Sequence, residues 1–189
     1  MAVQASKSIS LTDLATGEAF KLSANQILNF TAINAGADTQ LTYIGNRGTI
    51  VVREVAEAVA TVNTAAARTQ AVTLTDANST VIYLHSDKII FMDDLGATTQ
   101  IIYNGNENYP KKYIVTENAS AINTVAENTF AITIQASGLT RYINNLFVAD
   151  VVTGGGTGSN IIYNAQGTAF QVLQVAETAA QIQTAINAL

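Results

Sequence analysis

Few side chains in this 189-residue chain could take part in a reaction. His85 is the single histidine and cysteine is absent, so the usual thiolate and imidazole metal sites are not available. A Ser-His-Asp triad would have to use His85, with no G-x-S-x-G turn to present the serine. His85 directly follows the run VIYL, and a surface turn is the simpler assignment for it. Asp93 and Asp94 stand together in FMDDLG, and paired carboxylates suit a hard cation. The spaced oxygen ligands of a calcium loop are missing, however, and a solvated loop at a strand end is expected. GGGTGS (154–159) has the glycine density of a phosphate cradle but neither its GK[ST] ending nor its strand–loop–helix setting. It reads as a flexible connection. Asn29, Asn78 and Asn118 open N-x-S/T triplets, which a chain this rich in Asn and Thr produces by chance. The reading assigns no catalytic, cofactor-binding or metal-ligating residue, and the chain is not expected to be an enzyme.

Composition points the same way. Charged residues make up 12% of the chain, about half of the roughly 25% usual in globular proteins. A surface poor in charge suits lasting contacts, because little charge is desolvated when it is covered. The net charge of −5, with Lys111–Lys112 the only adjacent basic pair, argues against a nucleic-acid partner. No apolar run approaches the roughly 18 residues that cross a bilayer, so no membrane contact is expected. The start, MAVQASKSIS, lacks a secretory pattern, and the absence of disulfide chemistry favours assembly in the cytoplasm.

The elements that would position these residues recur. IIYN appears at 101–104 and again at 161–164, and LTYI at 41–44 puts Tyr43 in register with Tyr103 and Tyr163. Before each tyrosine lie two alternating runs joined by a turn: SISLTD and AFKL, AVTLTD and TVIYL, FAITIQ and TRYI. That is the pattern of β-hairpins. A third run (QILNFTAI, KIIFMDD, NLFVADVV), the tyrosine strand and a fifth run (GTIVVRE, KKYIVTE, TAFQVLQVAE) follow. Glu54, Glu117 and Glu177 then precede Ala-rich segments, with Val59, Ile122 and Ile182 five places on. These segments suit short amphipathic helices whose first turn welcomes a carboxylate. The tyrosine-to-glutamate interval is eleven residues in the first copy and fourteen in the others.

The fold class expected is therefore mainly β with short α-helices. Three tandem repeats of about 60 residues each would comprise five strands and one C-terminal helix, in a small barrel or sandwich. The boundaries are an N-terminal arm at 1–7 and repeats at 8–66, 70–127 and 129–189. The recurring tyrosine fills a core position in each. Domains of this size bury only about 60% of their unfolded surface, so stacking or docking must supply the rest. A row of three modules is favoured over a pseudo-threefold cluster, because each copy carries a full set of strand signals.

The run VTLTDANSTVIYLHSDKIIFMDDLGATTQIIYNGN, with YIVTENASAI after it (72–122), resembles a small β module in virion proteins of crAss-like and related tailed phages. The third copy retains I-x-Y and VAETAAQI. The first departs most, with LSANQI in place of LHSDKI. The resemblance implies a phage structural protein without cofactors, most like an auxiliary or decoration protein of the capsid. It would be assembled in the host cytoplasm and located in the virion. Its partners would be the major capsid protein or other virion proteins, with self-association possible, and the resemblance transfers no functional residue. Two other readings stay open. A fibre or adhesin-like module would bind a receptor or carbohydrate on exposed aromatics, for which Tyr109, Tyr113 and Tyr142 are the candidates. A hydrolase would depend on His85 or on Asp93–Asp94.

Overall fold

The computed structural model describes residues 7–45, 49–66, 71–104, 110–154, 156–165 and 170–189. The chain is mainly β, with three short α-helices and several antiparallel sheets. It divides into two compact units, residues 1–85 and 86–189.

In the first unit, β1 (Ser8–Thr12) and β2 (Ala19–Ser23) form a hairpin. Alternation in SISLT sends Ile9 and Leu11 inward and Ser8 and Ser10 to solvent. Asp13 holds the turn, its Oδ1 accepting from the N–H groups of Ala15 (3.0 Å) and Thr16 (2.9 Å). A 3-10 turn at Ala24–Gln26 leads to a meander of β3 (Ile27–Ile33), β4 (Asp38–Ile44) and β5 (Ile50–Val55). The helix α1 (Val59–Ala66) follows, and its four-residue spacing puts Val62 and Ala66 on one buried face. The core joins hairpin, meander and helix through Ile9, Leu11, Ile27, Phe30, Leu41, Tyr43 and Val62.

A second hairpin, β6 (Ala71–Thr75) and β7 (Val81–His85), then pairs with β3, giving the sheet order β5-β4-β3-β7-β6. The register is Asn29↔Leu84, Phe30↔Tyr83 and Thr31↔Ile82. Phe30 and Tyr83 stack across it with centroids 4.9 Å apart. Flanked on both sides, β3 buries its first four residues, whereas β5, on the sheet edge, buries only Val55.

The second unit shares the meander–helix–hairpin order, followed by a further meander and helix. After a 3-10 turn at Ser86–Lys88 come β8 (Ile89–Asp94), β9 (Thr99–Tyr103) and β10 (Lys111–Val115), then α2 (Ala119–Val125). The hairpin β11 (Thr129–Thr133) and β12 (Thr140–Asn144) adds to β8, in the order β10-β9-β8-β12-β11. Here the register is Phe91↔Ile143, Met92↔Tyr142 and Asp93↔Arg141. A 3-10 turn at Asn145–Phe147 opens a three-stranded sheet of β13 (Val148–Thr153), β14 (Ser159–Tyr163) and β15 (Gln171–Val175). The helix α3 (Ala179–Asn187) starts on a Thr178–Gln181 capping box and buries Ile182 against Phe130, Ile132, Ile161 and Tyr163.

In each unit a carboxylate locks a hairpin to the strand that closes its meander. Single bridges join Asp13 to Val55 and Ile134 to Val175. Beside them the N–H of Thr12 donates to both carboxylate oxygens of Glu57, at 2.9 and 3.1 Å. The N–H of Thr133 does the same to Glu177, at 2.9 and 3.0 Å. The residue with this role in the first unit is thus Glu57 and not Glu54, which is exposed on β5. Glu57 lies fourteen residues after Tyr43, the interval that separates Tyr103 from Glu117 and Tyr163 from Glu177. Val62, five residues after Glu57, is the buried helix residue, and Val59 packs only at the margin of the core. The eleven-residue interval expected from Glu54 came from choosing the wrong member of the pair in EVAE.

A charge-assisted hydrogen bond contributes about 1.5–3 kcal/mol, so Glu57→Ala should lower stability by roughly that amount. Glu54→Ala should stay within about 0.5 kcal/mol, as surface changes do, and urea denaturation of the two variants checks both values. The turn carboxylates add a pH dependence. Bonds from the N–H groups of Thr16 and Thr80 hold Asp13 and Asp76 below the ordinary carboxylate pKa, against a smaller opposing effect of burial. Their contribution is present above the unfolded pKa and is lost as pH falls through the lowered folded values. Asp76→Asn keeps an accepting oxygen but cannot titrate. Its melting temperature should therefore fall less than that of the native chain between neutral and acid pH.

Candidate functional site

A largely buried polar cluster lies at the β8–β12 pairing in the second unit. The register sets Asp93 opposite Arg141. Arg141 Nε lies 2.6 Å from Asp93 Oδ1 and donates to it, and Nη2 donates to Oδ2 at 2.9 Å. Both side chains are largely buried, at 14% and 10% exposure. Phe91, two residues before Asp93 and so on the same face of β8, lies under the guanidinium at 3.8 Å. The Tyr163 ring meets Phe91 edge-on at 6.1 Å, and the Tyr163 hydroxyl donates to Gln171 Oε1 at 3.4 Å. Burial raises the Tyr163 pKa above the ordinary phenol value, and the nearby Arg141 charge only partly opposes this.

This cluster is chemically closed. The carboxylate is matched by a bidentate guanidinium, the cation is covered by a ring, and the phenol holds its proton more firmly than usual. Such an arrangement positions two strands and leaves no acid, base or nucleophile for a substrate. It also corrects the expectation for the acidic pair. Asp93 is buried in an ion pair and not in a solvated loop, while Asp94 ends β8 and accepts from Gly96 N at 2.8 Å in the turn. The sequence offered no sign of Arg141 as its partner, because the two lie 48 positions apart.

The other candidates lie apart from this cluster. His85 closes β7, half-buried and in register with Ala71. In GGGTGS, a Cβ on Gly158 would come within 2.1 Å of the Val175 carbonyl oxygen, so the glycine serves a close backbone approach at the β14–β15 ladder. Asn29 is buried in β3, and Asn118 caps α2 by accepting from Ser120 N at 2.9 Å. No group of three His, Cys, Asp or Glu residues able to hold a metal occurs among the described residues. Tyr43, Tyr103 and Tyr163 are all buried. Tyr113 stacks on Tyr103 at 5.0 Å, which occupies one ring face, and Tyr142 is half-buried on β12. Tyr109 lies outside the described residues.

Phe170, just before β15, is 63% exposed, and the other large apolar side chains that reach solvent among the described residues are aliphatic. Val52 on β5, Ile114 on β10 and Val172 on β15 are 59%, 40% and 63% exposed. Each points away from its own core, because the buried valine ending the strand lies an odd number of residues from Val52, Ile114 or Val172. Among the described residues no helix is long and apolar enough to cross a membrane. In comparisons with protein-family models, curated proteins and solved structures, nothing matches this chain.

Breaking a buried ion pair from one side costs about 3–5 kcal/mol, and Arg141→Ile alone should lose that much. At the other hairpin pairing the corresponding residues are Thr31 and Ile82. Adding Asp93→Thr to Arg141→Ile should therefore recover most of the loss, and a double-mutant cycle on denaturation midpoints measures the coupling.

Proposed function

We propose that this chain is a non-enzymatic structural protein of a tailed-phage virion, an auxiliary or decoration protein that stabilises the capsid shell through protein–protein contacts. In this reading it is built of three tandem modules, at 8–66, 70–127 and 129–189. Its partners are the major capsid protein or other virion proteins, and it is assembled in the host cytoplasm. The observation that carries the reading is the pairing of a closed polar interior with exposed aliphatic strand faces. Asp93, Arg141, Glu57 and Glu177 all bind other parts of their own unit, whereas Val52, Ile114 and Val172 face solvent. The low charge of the chain is consistent with covering those faces by another protein.

Recurrent local bonds support the modular reading. Thr39 Oγ1 donates to the Glu57 carbonyl and Thr99 Oγ1 to the Glu117 carbonyl, each at 2.7 Å. The hairpin-to-β5 bond set, Leu14 N to Glu54 O and Ala56 N to Thr12 O, reappears as Gln135 N to Gln174 O and Ala176 N to Thr133 O. The phage resemblance of residues 72–122 supplies the virion setting.

Mass spectrometry of purified virions should find the polypeptide in the head fraction, and the purified chain should cosediment with capsids lacking it. Changing Val52, Ile114 and Val172 together to lysine should weaken cosedimentation at least tenfold while leaving the melting temperature nearly unchanged. Absence from virions would end the reading. Recovery only with tail fibres, together with glycan binding, would favour the adhesin-like alternative.

A further inference from the structure

Each open sheet leaves two outer strand edges without a ladder partner among the described residues, and two of these edges can be matched to edges that are paired elsewhere in the chain. One is the outer edge of β2, which pairs only with β1; the other is the outer edge of β13, which pairs only with β14. These edges correspond to ones that are filled elsewhere. As the second strand of a hairpin, β2 matches β7 and β12, and as the first strand of a meander after a 3-10 turn, β13 matches β3 and β8. A bulge fixes the frame in each meander, between Ile27 and Asn29, Ile89 and Phe91, and Val148 and Asp150. Carried into that frame, the register of the two internal joints sets Leu22 opposite Asp150, Lys21 opposite Val151 and Phe20 opposite Val152.

We propose that the β2 edge of one copy and the β13 edge of another form a latent third joint, head to tail, which the native side chains hold weak. At the internal joints the middle hairpin residue is Tyr83 or Tyr142; on β2 it is Lys21, which is exposed. Leu28 and Ile90 are fully buried, and their counterpart Ala149 is exposed. Buried Asn29 and half-buried Phe91 are replaced by Asp150, whose Oδ1 accepts from Val151 N at 2.8 Å. That N–H is the group the joint would use, because residues along an antiparallel strand alternate in which neighbour receives their backbone bonds. Seating Leu22 against Asp150 would strip water from an unpaired carboxylate. Charges placed on strand edges are a common guard against such pairing. The surface is therefore complementary to a second copy in register and backbone, and Asp150 and Lys21 oppose its closure. The inference stands apart from the virion reading.

Sedimentation velocity over a wide concentration range tests it. Asp150→Asn combined with Lys21→Tyr should self-associate at least tenfold more tightly than the native chain. Its weight-average mass should climb past 19.9 kDa without levelling at a dimer, because a head-to-tail contact does not close on itself. Asp150→Asn alone, at an exposed site, should move in the same direction. Blocking either edge with proline, as Lys21→Pro or Val151→Pro in the Asp150→Asn background, should restore the native mass. The proposal is overturned if the double variant melts like the native chain yet stays monomeric, or if association survives either proline.

Discussion

An exposed strand edge is a row of unmet hydrogen bonds, and the arrangement of this chain follows from how those edges are met. The second strand of a hairpin pairs with the first strand of the meander that precedes it in sequence. It does not pair with the strand that follows it directly. In the first unit this converts β3 from an edge into the centre of a five-stranded sheet, and in the second it does the same for β8. A meander and helix of about 40 residues would bury too little surface to be secure alone. In the second unit Ile90 packs in one core with Phe130 and Ile143 of the added hairpin, and both Ile90 and its counterpart Leu28 are almost without exposure.

Side-chain chemistry at the joints is secondary to this backbone constraint. One joint has a stacked Phe30–Tyr83 pair, and the other has the Asp93–Arg141 ion pair covered by Phe91. An apolar pair and an ionic pair occupy the same three-residue register. Polar residues elsewhere serve the same end: Glu57 and Glu177 each take a backbone N–H from a hairpin strand and fasten it to the segment entering a helix. Asp93 and Asp94 are likewise engaged within their own unit, one with Arg141 and the other with the N–H of Gly96.

Much of the local structure was legible in the sequence because it depends on local patterns. Alternation located the strands and the Ala-rich periodicity located the three helices, since both arise from side chains within a few residues of one another. The short 3-10 turns, such as Ala24–Gln26, have no periodic signature and went unread. The carboxylate in EVAE was misread because helix-start propensity does not distinguish Glu54 from Glu57. Only the distant N–H of Thr12 makes that choice. Arg141 and Asp93 are joined by a strand pairing across 48 positions, which no spacing rule reveals. Interactions fixed by register between distant strands lie beyond the reach of periodicity.

The pairing of each hairpin with the preceding meander is tested most directly by nuclear Overhauser contacts between backbone α-protons. Residues directly opposite each other in the non-hydrogen-bonded pairs of an antiparallel ladder bring their α-carbons to about 4.5 Å, close enough for strong α-proton cross-peaks. Cross-peaks should connect Thr31 with Ile82 and Asp93 with Arg141. Strong cross-peaks linking β7 to β8, with those two contacts missing, would contradict the account.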